Sequence, residues 1–257
     1  GHVVNVLSRT PKRSNEFYWD ATKKSIDKDV LKSVEILINL SGVNLSEGKW
    51  TNSQKQKIYS SRIGTNEFLA SLIPQMPQLK HFLSSSGVTC YGFDKKGEPY
   101  IESDAFGNDY ISQLVKSWEE SADLFQNSCK VTKIRTSVVM DPKGGALKKM
   151  MVPFKFGFGA KLGTGKQIMP WIDLRDLVSM YLFIIENSIE GIINAVGANN
   201  SKEEITGIIK EKVRCFNFLP FAPAFLIKVV FGEMSVLLLE GVAVSNSKIV
   251  GLGYKIK

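Results

Sequence analysis

The sequence has few of the side chains that bind metal ions or form disulfides. Its 257 residues include two histidines, His2 and His81, and three widely separated cysteines, Cys90, Cys129 and Cys215. A structural zinc site needs several Cys or His ligands at close spacing, and a disulfide framework normally uses an even number of cysteines. We therefore expect no metal site and a reduced protein with buried thiols, located in the cytoplasm, or inside an organelle if a transit peptide precedes the chain.

The sequence also lacks an apolar run long enough to cross a bilayer. Its most apolar stretch, residues 221–241, is interrupted by Pro223, Lys228, Gly232 and Glu233, whereas a membrane helix needs roughly 18 or more consecutive apolar residues. This pattern predicts a buried pair of helices and no integral membrane segment. A peripheral membrane role or a partner-binding role for residues 221–239 is an open alternative.

No basic segment is interleaved with aromatic residues in the manner of a nucleic-acid-binding surface. The 33 Lys and Arg residues outnumber the 25 Asp and Glu residues, but they are dispersed along the chain. The net charge of +8 therefore predicts attraction of a phosphate-bearing small molecule rather than binding of nucleic acid.

Apolar runs that are typical of buried strands alternate with segments of helical periodicity. Residues 34–42 form a continuous apolar run that ends at a glycine, and another apolar run enters the Ser-rich turn at residues 84–86. Between them, residues 51–73 carry Ile and Leu at helical spacing, with Thr51 or Ser53 as the N-cap. Strands that are buried on both faces by helices indicate an α/β fold with a doubly wound parallel sheet.

The pattern changes after Met140. Residues 141–174 are rich in glycine and show little periodicity, which predicts a long structured loop, and loops of this length are usually functional. The last residues, 212–257, have the pattern of helices plus a short strand. We expect them to form a small C-terminal module that follows a main domain of residues 1–211.

The first apolar run ends in basic residues. Residues 3–7 predict a short strand that is followed by Ser8 and Arg9, with Lys12 and Arg13 close behind and no carboxylate. At the end of the second strand of a dinucleotide fold, an acidic residue binds the 2′-hydroxyl of NAD, whereas a basic residue accommodates the 2′-phosphate of NADP. Arg suits a phosphate because its planar guanidinium donates two parallel hydrogen bonds. A solvated basic turn is the alternative.

Long blocks of the sequence resemble one family of atypical extended short-chain dehydrogenases/reductases, the epimerase family proteins of the 39U class. The blocks are NLSGVNLSEGKWTNSQKQKIYSSRIGTNEFL, SSSGVTCYG, GGALKKMMVPFKFGFGAKLGTGKQIMPWIDLRDL and FGEMSVLLLEG, and the likeness extends over nearly the whole chain. The resemblance implies an NAD(P)-binding Rossmann domain over residues 1–211, NADP as the cofactor and a small-molecule substrate such as a nucleotide sugar.

The family also implies something about the N-terminus. Its members begin with a strand and a Gly-x-x-Gly-x-x-Gly turn that holds the pyrophosphate of the cofactor. This sequence starts at the position of the second strand, so the resemblance implies that the first strand and the glycine-rich turn are absent. Because the first strand is central in such a sheet, we expect the chain as given to bind dinucleotides weakly and to fold poorly by itself.

Cofactor contacts are implied for residues along the first two thirds of the chain. Asn39 to Gly42 follow a parallel strand at its carboxyl end, where ligands bind in open α/β sheets. Lys57 and Arg62 lie about 140° apart on a helix, but their long side chains can flank one anionic group. Taken alone, Gly42 as a simple turn, Lys57 as a surface residue and Val139 as a core residue are the alternatives. The full set is Ser8, Arg9, Asn39, Leu40, Ser41, Gly42, Lys57, Arg62 and Val139.

The catalytic residues match the superfamily only in part. Its enzymes normally use a Ser or Thr with a Tyr-x-x-x-Lys pair on one helix, whose cation lowers the pKa of the tyrosine. Ser86 matches the first position. Tyr110 is the candidate proton donor, but Lys116 follows it after six residues instead of four, which leaves the two about 120° out of alignment. A register anchored on the following Trp-Glu pair places Ile111 and Val115 at the two positions.

Two functions are compatible with these residues. The first is an NADP(H)-dependent oxidoreductase or epimerase-like enzyme, in which Ser86 holds a substrate oxygen and Tyr110 or water moves the proton. The second is a dinucleotide-binding regulatory protein with little or no turnover, as is implied for plastid and cyanobacterial relatives that act in division. The glycine-rich segment is expected to close over a substrate with Gln167 and Trp171, and Asp173 stands where relatives carry His. A homodimer is compatible with both functions.

Overall fold

The computed structural model describes residues 1–94, 97–213 and 221–257, and Cys215 falls outside them. Strands and helices alternate over most of the chain. The strands are β1 (Val6–Ser8), β2 (Glu16–Asp20), β3 (Ser25–Ile26), β4 (Ile36–Asn39), β5 (His81–Gly87), β6 (Lys130–Thr136), β7 (Val138–Asp141), β8 (Lys161–Leu162), β9 (Ile168–Asp173), β10 (Gly191–Ala195), β11 (Ala198–Ser201) and β12 (Phe221–Ala222). The helices are α1 (Asn52–Tyr59), α2 (Thr65–Ser71), α3 (Tyr110–Ala122), α4 (Gly145–Lys155), α5 (Leu174–Glu186), α6 (Lys202–Val213), α7 (Ala224–Phe231), α8 (Val236–Leu239) and α9 (Ser247–Gly251).

The central sheet has four parallel strands in the order β10-β6-β5-β4. Alternate side chains of a strand point to opposite faces of its sheet, and here they enter two different apolar cores. Leu37, Phe82 and Val131 face the core that includes residues of α2 and α3. Leu83 and Ile134 face the core that includes residues of α5 and α9. Helices therefore cover both faces, which confirms the predicted doubly wound α/β fold.

The N-terminal strands form a small sheet of their own. β1 pairs in parallel with β2, and β2 pairs in antiparallel fashion with β3. β1 starts later than the strand predicted over residues 3–7, because Val3 is 93% exposed and pairing begins at Val6. Leu7 packs on the same core as Leu37 of β4. β4 is an edge strand of the central sheet among the described residues. The two sheets therefore have no hydrogen-bonded ladder in common, although their side chains pack in the same core.

The glycine-rich segment after Met140 is not the long loop that the sequence predicts. It contains helix α4 and strands β8 and β9. The prediction was wrong because α4 starts at Gly145 and includes Pro153 in its last turn, and both residue types have low helix propensity. Phe154 of α4 is nevertheless buried, and it packs with Met169 and with Ile residues of α6.

The C-terminal residues 221–257 are joined to the rest of the fold at several points. β12 pairs in parallel with β8, and Ile249 of α9 lies in the core beneath β10. The single hydroxyl proton of Tyr254 is shared between two acceptors of Asp176 in α5, its carboxylate and, at 2.9 Å, its backbone oxygen. Helix α6 includes residue 211, so the predicted domain boundary falls inside a helix, and the division into two domains stays a prediction.

Lys202 of α6 forms hydrogen bonds with the carboxyl end of α8 and so stabilises the C-terminal helices. Its buried amine donates hydrogen bonds to the backbone oxygens of Leu237, Leu238 and Glu240 at 3.0, 2.8 and 2.9 Å. The last carbonyl groups of a helix have no intrahelical partner, so Lys202 supplies donors that α8 lacks. Burial of the ammonium group lowers the pKa of Lys202 from 10.5 to about 8.

We expect the contribution of Lys202 to stability to increase with pH. Its native pKa of about 8 lies below the value of 10.5 for an unfolded lysine, so the unfolded chain binds more protons between these values and stability rises as the pH passes through them. The Lys202→Met variant lacks this dependence, and its deficit in unfolding free energy should widen from about pH 8 upward. Urea denaturation of both proteins at several pH values measures the deficit, and a constant deficit would contradict the expectation.

Candidate functional site

The loop after β4 lies at the edge of the sheet where ligands bind in open α/β folds. Asn39 ends β4 and is 3% exposed. Its amide group donates to Oδ1 of Asn66 at 2.7 Å, and its own Oδ1 accepts from the backbone N–H of Ser41 at 3.0 Å. Leu40 is 68% exposed, and Gly42 is exposed as well. The structure therefore brings this predicted stretch to the ligand-binding edge, with buried Asn39 as its support.

A buried guanidinium group lies against Gly42 in the loop after β4. Arg62 belongs to a π-helical turn, Ser60–Gly64, between α1 and α2, and its residue is 7% exposed. A Cβ atom at position 42 would lie 3.0 Å from Cζ of Arg62, so glycine permits the close approach of the backbone to the guanidinium. Cζ also lies 5.0 Å from the ring centre of Trp118. Arg62 therefore lies between the loop after β4 and helix α3.

Arg62 has no carboxylate partner among the described residues. Its Nη1 donates to the backbone oxygen of Ile58 at 3.3 Å and to Oγ of Ser61 at 3.4 Å, and both acceptors are uncharged. Burial lowers the pKa of Arg62 from 12.5 to about 10, and Tyr110 opposes this shift. A cation that is desolvated without an anion is costly. An anionic group beside Arg62 would remove this cost.

Two more donors close to Arg62 lack acceptors. The hydroxyl of Tyr110 and the indole Nε1 of Trp118 are buried, and neither has a hydrogen-bond partner within the described part of the chain. Both residues belong to α3, and eight residues turn a helix by about 800°, so the side chains point within about 80° of each other. Buried polar groups are normally hydrogen-bonded. The three donors together mark a site for a ligand that is rich in acceptors.

The ring of Tyr110 is held by neighbours from other segments. Trp50 meets it edge-on, with 5.3 Å between ring centres, and Nζ of Lys55 lies 4.6 Å from the ring centre. Lys55 also pairs with Glu233 at 2.5 Å. Burial raises the pKa of Tyr110, Arg62 lowers it, and Glu233 raises it. Since the net shift is upward, the hydroxyl keeps its proton near neutral pH and remains a donor.

Ser86 has a partner that the sequence did not predict. Its hydroxyl donates to Oε1 of Glu119 at 2.5 Å, and Glu119 accepts two hydrogen bonds from Arg135 at 2.8 and 3.0 Å. Nη1 of Arg135 also donates to the hydroxyl of Tyr91 at 2.9 Å, and that hydroxyl donates to Asn194 at 2.7 Å. All five residues are buried. Ser86 is thus one end of a buried ion-pair network, and its catalytic role stays a prediction.

Helix α3 carries no lysine aligned with Tyr110. Lys116 lies at the surface, 3.9 Å from Glu120. Ile111 and Val115, which occupy the two positions of the alternative register, are 1% and 2% exposed and belong to apolar clusters. The cations next to Tyr110 come instead from the segment that joins α1 to α2 and from α1 itself.

The helical spacing suggested that Lys57 and Arg62 can flank one anionic group, but the structure does not bring the two side chains together. Lys57 is exposed on α1, whereas Arg62 is buried in the π-helical turn that follows. A π turn has more residues per turn than an α-helix, so the angle of about 140° that an ideal helix gives does not apply. The role of Lys57 stays a prediction.

The other predicted cofactor residues lie on separate strands. Ser8 ends β1, and its Oγ accepts from the backbone N–H of Thr10 at 3.2 Å, while Arg9 is exposed beside it. Val139 lies in β7 and packs on the core shared with α5. Arg9 is at the carboxyl end of its strand, as the sequence predicts, and its contact with a cofactor stays a prediction.

The donors of the glycine-rich segment are used inside the fold. Nε2 of Gln167 donates to a backbone oxygen of β8 at 3.0 Å, and Nε1 of Trp171 donates to Oδ1 of Asn200 at 2.9 Å. A cavity of about 360 Å³ borders this segment and includes Gln167 in its lining. Asp173 caps α5 by accepting from the N–H of Arg175 at 2.8 Å, and its bonds to Arg175 lower the pKa of Asp173. These side chains stabilise the segment instead of presenting free donors.

Known proteins resemble the chain over nearly its full length. The model of the NAD dependent epimerase/dehydratase family matches residues 1–197. An epimerase family protein of Mycobacterium leprae is 31% identical over 236 residues, which cover 91% of this chain and 76% of that protein.

Two solved structures extend the comparison. The human epimerase family protein SDR39U1, crystallised with NADPH, is 28% identical with a TM-score of 0.87, covering 100% of this chain and 87% of that one. A nucleoside-diphosphate sugar epimerase of Corynebacterium glutamicum is 25% identical with a TM-score of 0.69, covering 97% of this chain and 56% of that one. Because the family model matches well over half of the chain, the protein belongs to the NAD dependent epimerase/dehydratase family.

Proposed function

We propose that the protein binds NADP(H) at the carboxyl edge of the central sheet and uses it to oxidise or reduce a carbonyl, an alcohol or a nucleotide-sugar-like substrate. Arg62 carries this proposal, because its buried guanidinium lies against Gly42 and none of the described carboxylates is its partner. The phosphates of a dinucleotide supply the missing negative charge. The human relative SDR39U1 was crystallised with NADPH, which supports the choice of ligand.

Each residue of the site has a separate task in this proposal. Arg9 pairs with the 2′-phosphate at the end of β1, and the backbone of residues 40–42 lines the ribose and phosphates next to Arg62. When bound, the nicotinamide supplies or accepts the hydride. Tyr110 keeps its proton because its pKa is raised, and it donates that proton to the substrate oxygen during reduction. Glu119 fixes the position of Ser86 at 2.5 Å.

Titration of NADPH and NADH against the Arg9→Ala variant tests the cofactor assignment. Loss of a charge-assisted phosphate contact costs about 1.5–3 kcal/mol, so NADPH affinity should fall about ten- to hundredfold. NADH affinity should stay unchanged because NADH has no 2′-phosphate. Arg13→Ala is the matched control, since Arg13 is exposed and lies 3.8 Å from Glu16. Equal losses for both cofactors, or equal losses of NADPH affinity in Arg9→Ala and Arg13→Ala, would count against the proposal.

A dinucleotide-binding regulator is the second candidate function. It is favoured by α3, where Ile111 and Val115 are buried and apolar, and Lys116 is bound to Glu120. Stopped-flow measurement of NADPH oxidation with a panel of carbonyls and nucleotide sugars separates the two functions. An enzyme should oxidise NADPH with one of them, and Tyr110→Phe should slow that step. Full occupancy by NADPH without oxidation by any compound would favour the regulator.

A further inference from the structure

Helix α7 exposes an apolar face. Phe225, Leu226, Val229 and Val230 are 65%, 49%, 69% and 58% exposed, whereas Ile227 is 5% exposed. The four exposed side chains span about 140° of the helix circumference, and Ile227 lies outside this arc. The apolar arc of α7 therefore faces outward, and the helix packs on the rest of the fold through the side that carries Ile227. Contiguous apolar surface of this kind marks an interaction site.

The turn after α4 carries more exposed apolar surface. Phe156 and Phe158 are 71% and 61% exposed, and Val152 of α4 is 44% exposed. β8 follows this turn and pairs with β12, which leads directly into α7. The backbone N–H of Gly163 also donates to the oxygen of Ala222 at 2.9 Å. We call α7 together with residues 152–158 the apolar ridge.

The apolar ridge has a positively charged surround. Residues 142–172 contain six lysines and no Asp or Glu, and residues 221–232 contain Lys228 and no Asp or Glu. Lys148 and Lys155 of α4 are exposed. Lys49, from the loop before α1, donates from Nζ to the backbone oxygen of Val229 at 3.4 Å. The ridge thus combines large apolar side chains with a surplus of ammonium groups.

Two acidic residues close to the ridge form ion pairs. Glu203 of α6 lies 3.1 Å from Nζ of Lys161, and Glu233, which follows α7, lies 2.5 Å from Nζ of Lys55. Within the described part of the chain, Lys148 and Lys155 of α4 and Lys228 of α7 form no ion pair with a carboxylate. The charge pattern therefore complements a negatively charged partner.

We propose that the apolar ridge docks on an anionic lipid bilayer, with α7 lying in the interface plane. Apolar side chains enter the region between head groups and acyl chains, and flanking lysines attract anionic head groups. Among the described residues, no helix is long and apolar enough to cross a membrane. A two-fold contact between two copies brings the same positively charged surface of each copy together, and like charges on the two surfaces repel each other. A bilayer avoids this repulsion.

Vesicle co-sedimentation of the full chain tests the proposal. The probes are vesicles of phosphatidylcholine alone and vesicles with about one third phosphatidylserine. We expect binding to the anionic vesicles that is at least about tenfold stronger than binding to neutral ones and that weakens with salt. The double variant Phe225→Ser/Val229→Ser should lose about tenfold or more of this binding.

Two matched controls test whether binding depends on the apolar and basic residues of the ridge in particular. Val178→Ser/Leu182→Ser removes two exposed apolar residues, 52% and 44% exposed, at the same spacing on α5, and should bind as the parent does. Lys148→Glu/Lys155→Glu should abolish the preference for anionic lipid, whereas Lys28→Glu/Lys32→Glu makes the same change in net charge and should retain it.

Three outcomes would overturn the proposal. The first is no binding to either kind of vesicle by the folded parent protein. The second is equal loss of binding in the ridge variant and in the α5 control variant. The third is a dimer in solution, measured by light scattering, that Phe225→Ser/Val229→Ser converts to a monomer. Circular dichroism confirms that each variant is folded.

Discussion

Replacement of Arg62 by methionine is expected to weaken NADPH binding while it raises the thermal stability of the unliganded protein. In residues 1–94, 97–213 and 221–257 no carboxylate pairs with the buried guanidinium, and burial lowers its pKa to about 10. A neutral side chain of similar length therefore removes a cost from the free protein. The same change removes a charged donor to phosphate, which is worth about 1.5–3 kcal/mol, or about ten- to hundredfold in affinity.

Two measurements check both halves of this result. Fluorescence titration gives the NADPH affinity, and thermal denaturation without ligand gives the stability. Arg62→Lys is the matched control, because it keeps a cation in the same place but lacks the planar fork that holds phosphate. It should lose affinity without gaining stability. A methionine variant that melts below the parent protein and binds NADPH equally well would show that Arg62 is structural.

Removal of the Glu119 carboxylate is expected to produce the largest loss of stability, about 3–5 kcal/mol. Glu119 is 3% exposed and accepts two hydrogen bonds from Arg135, which is 1% exposed. In Glu119→Ala, Arg135 becomes a buried charge without a counter-ion, and the hydroxyl of Ser86 loses its acceptor. Urea denaturation, extrapolated to water, measures the difference.

A second pair of variants separates the ion pair from the packing around it. Glu119→Leu/Arg135→Met removes both charges and fills the space with apolar side chains, so it should recover much of the stability that Glu119→Ala loses. Ser86→Ala removes only one hydrogen bond and should cost about 1 kcal/mol. If the double variant were as unstable as Glu119→Ala, the loss would come from packing instead of an unpaired charge.

Local sequence signals predicted the central sheet and its helices because periodicity and caps depend on neighbouring residues. The apolar run over residues 34–42 contains β4, and Thr51 caps α1 by accepting from the N–H of Gln54 at 3.3 Å. The same signals missed α4, whose Gly145 and Pro153 are poor helix formers. The packing of Phe154 against α6 and β9 stabilises that helix, and no local pattern reports such a contact.

The candidate site was predictable only in outline. Resemblance to a family indicated Arg62 and Ser86. The spacing of Tyr110 and Lys116 did not predict which side chains of α3 lie next to Arg62. The absence of a carboxylate beside Arg62 depends on which segments surround it in three dimensions. Arg135 offered one signal, because a charged residue in an interior strand that helices cover on both faces needs a partner. Nothing local identifies Glu119 as that partner, since it lies on a different element.

In the chain as given, the N-terminal sheet is separate from β4, and this separation has a consequence for the local unfolding of this polypeptide. Strands β1 to β3 contact the core through Leu7, Phe17 and Trp19, but no ladder joins them to the central sheet among the described residues. They can therefore detach without breaking a backbone hydrogen bond of β4, β5, β6 or β10. Amide hydrogens of this small sheet will exchange with solvent through openings of lower free energy than those of the central strands. We therefore expect Arg9 of this chain to lie on a sheet that opens at a lower free energy than the central strands do.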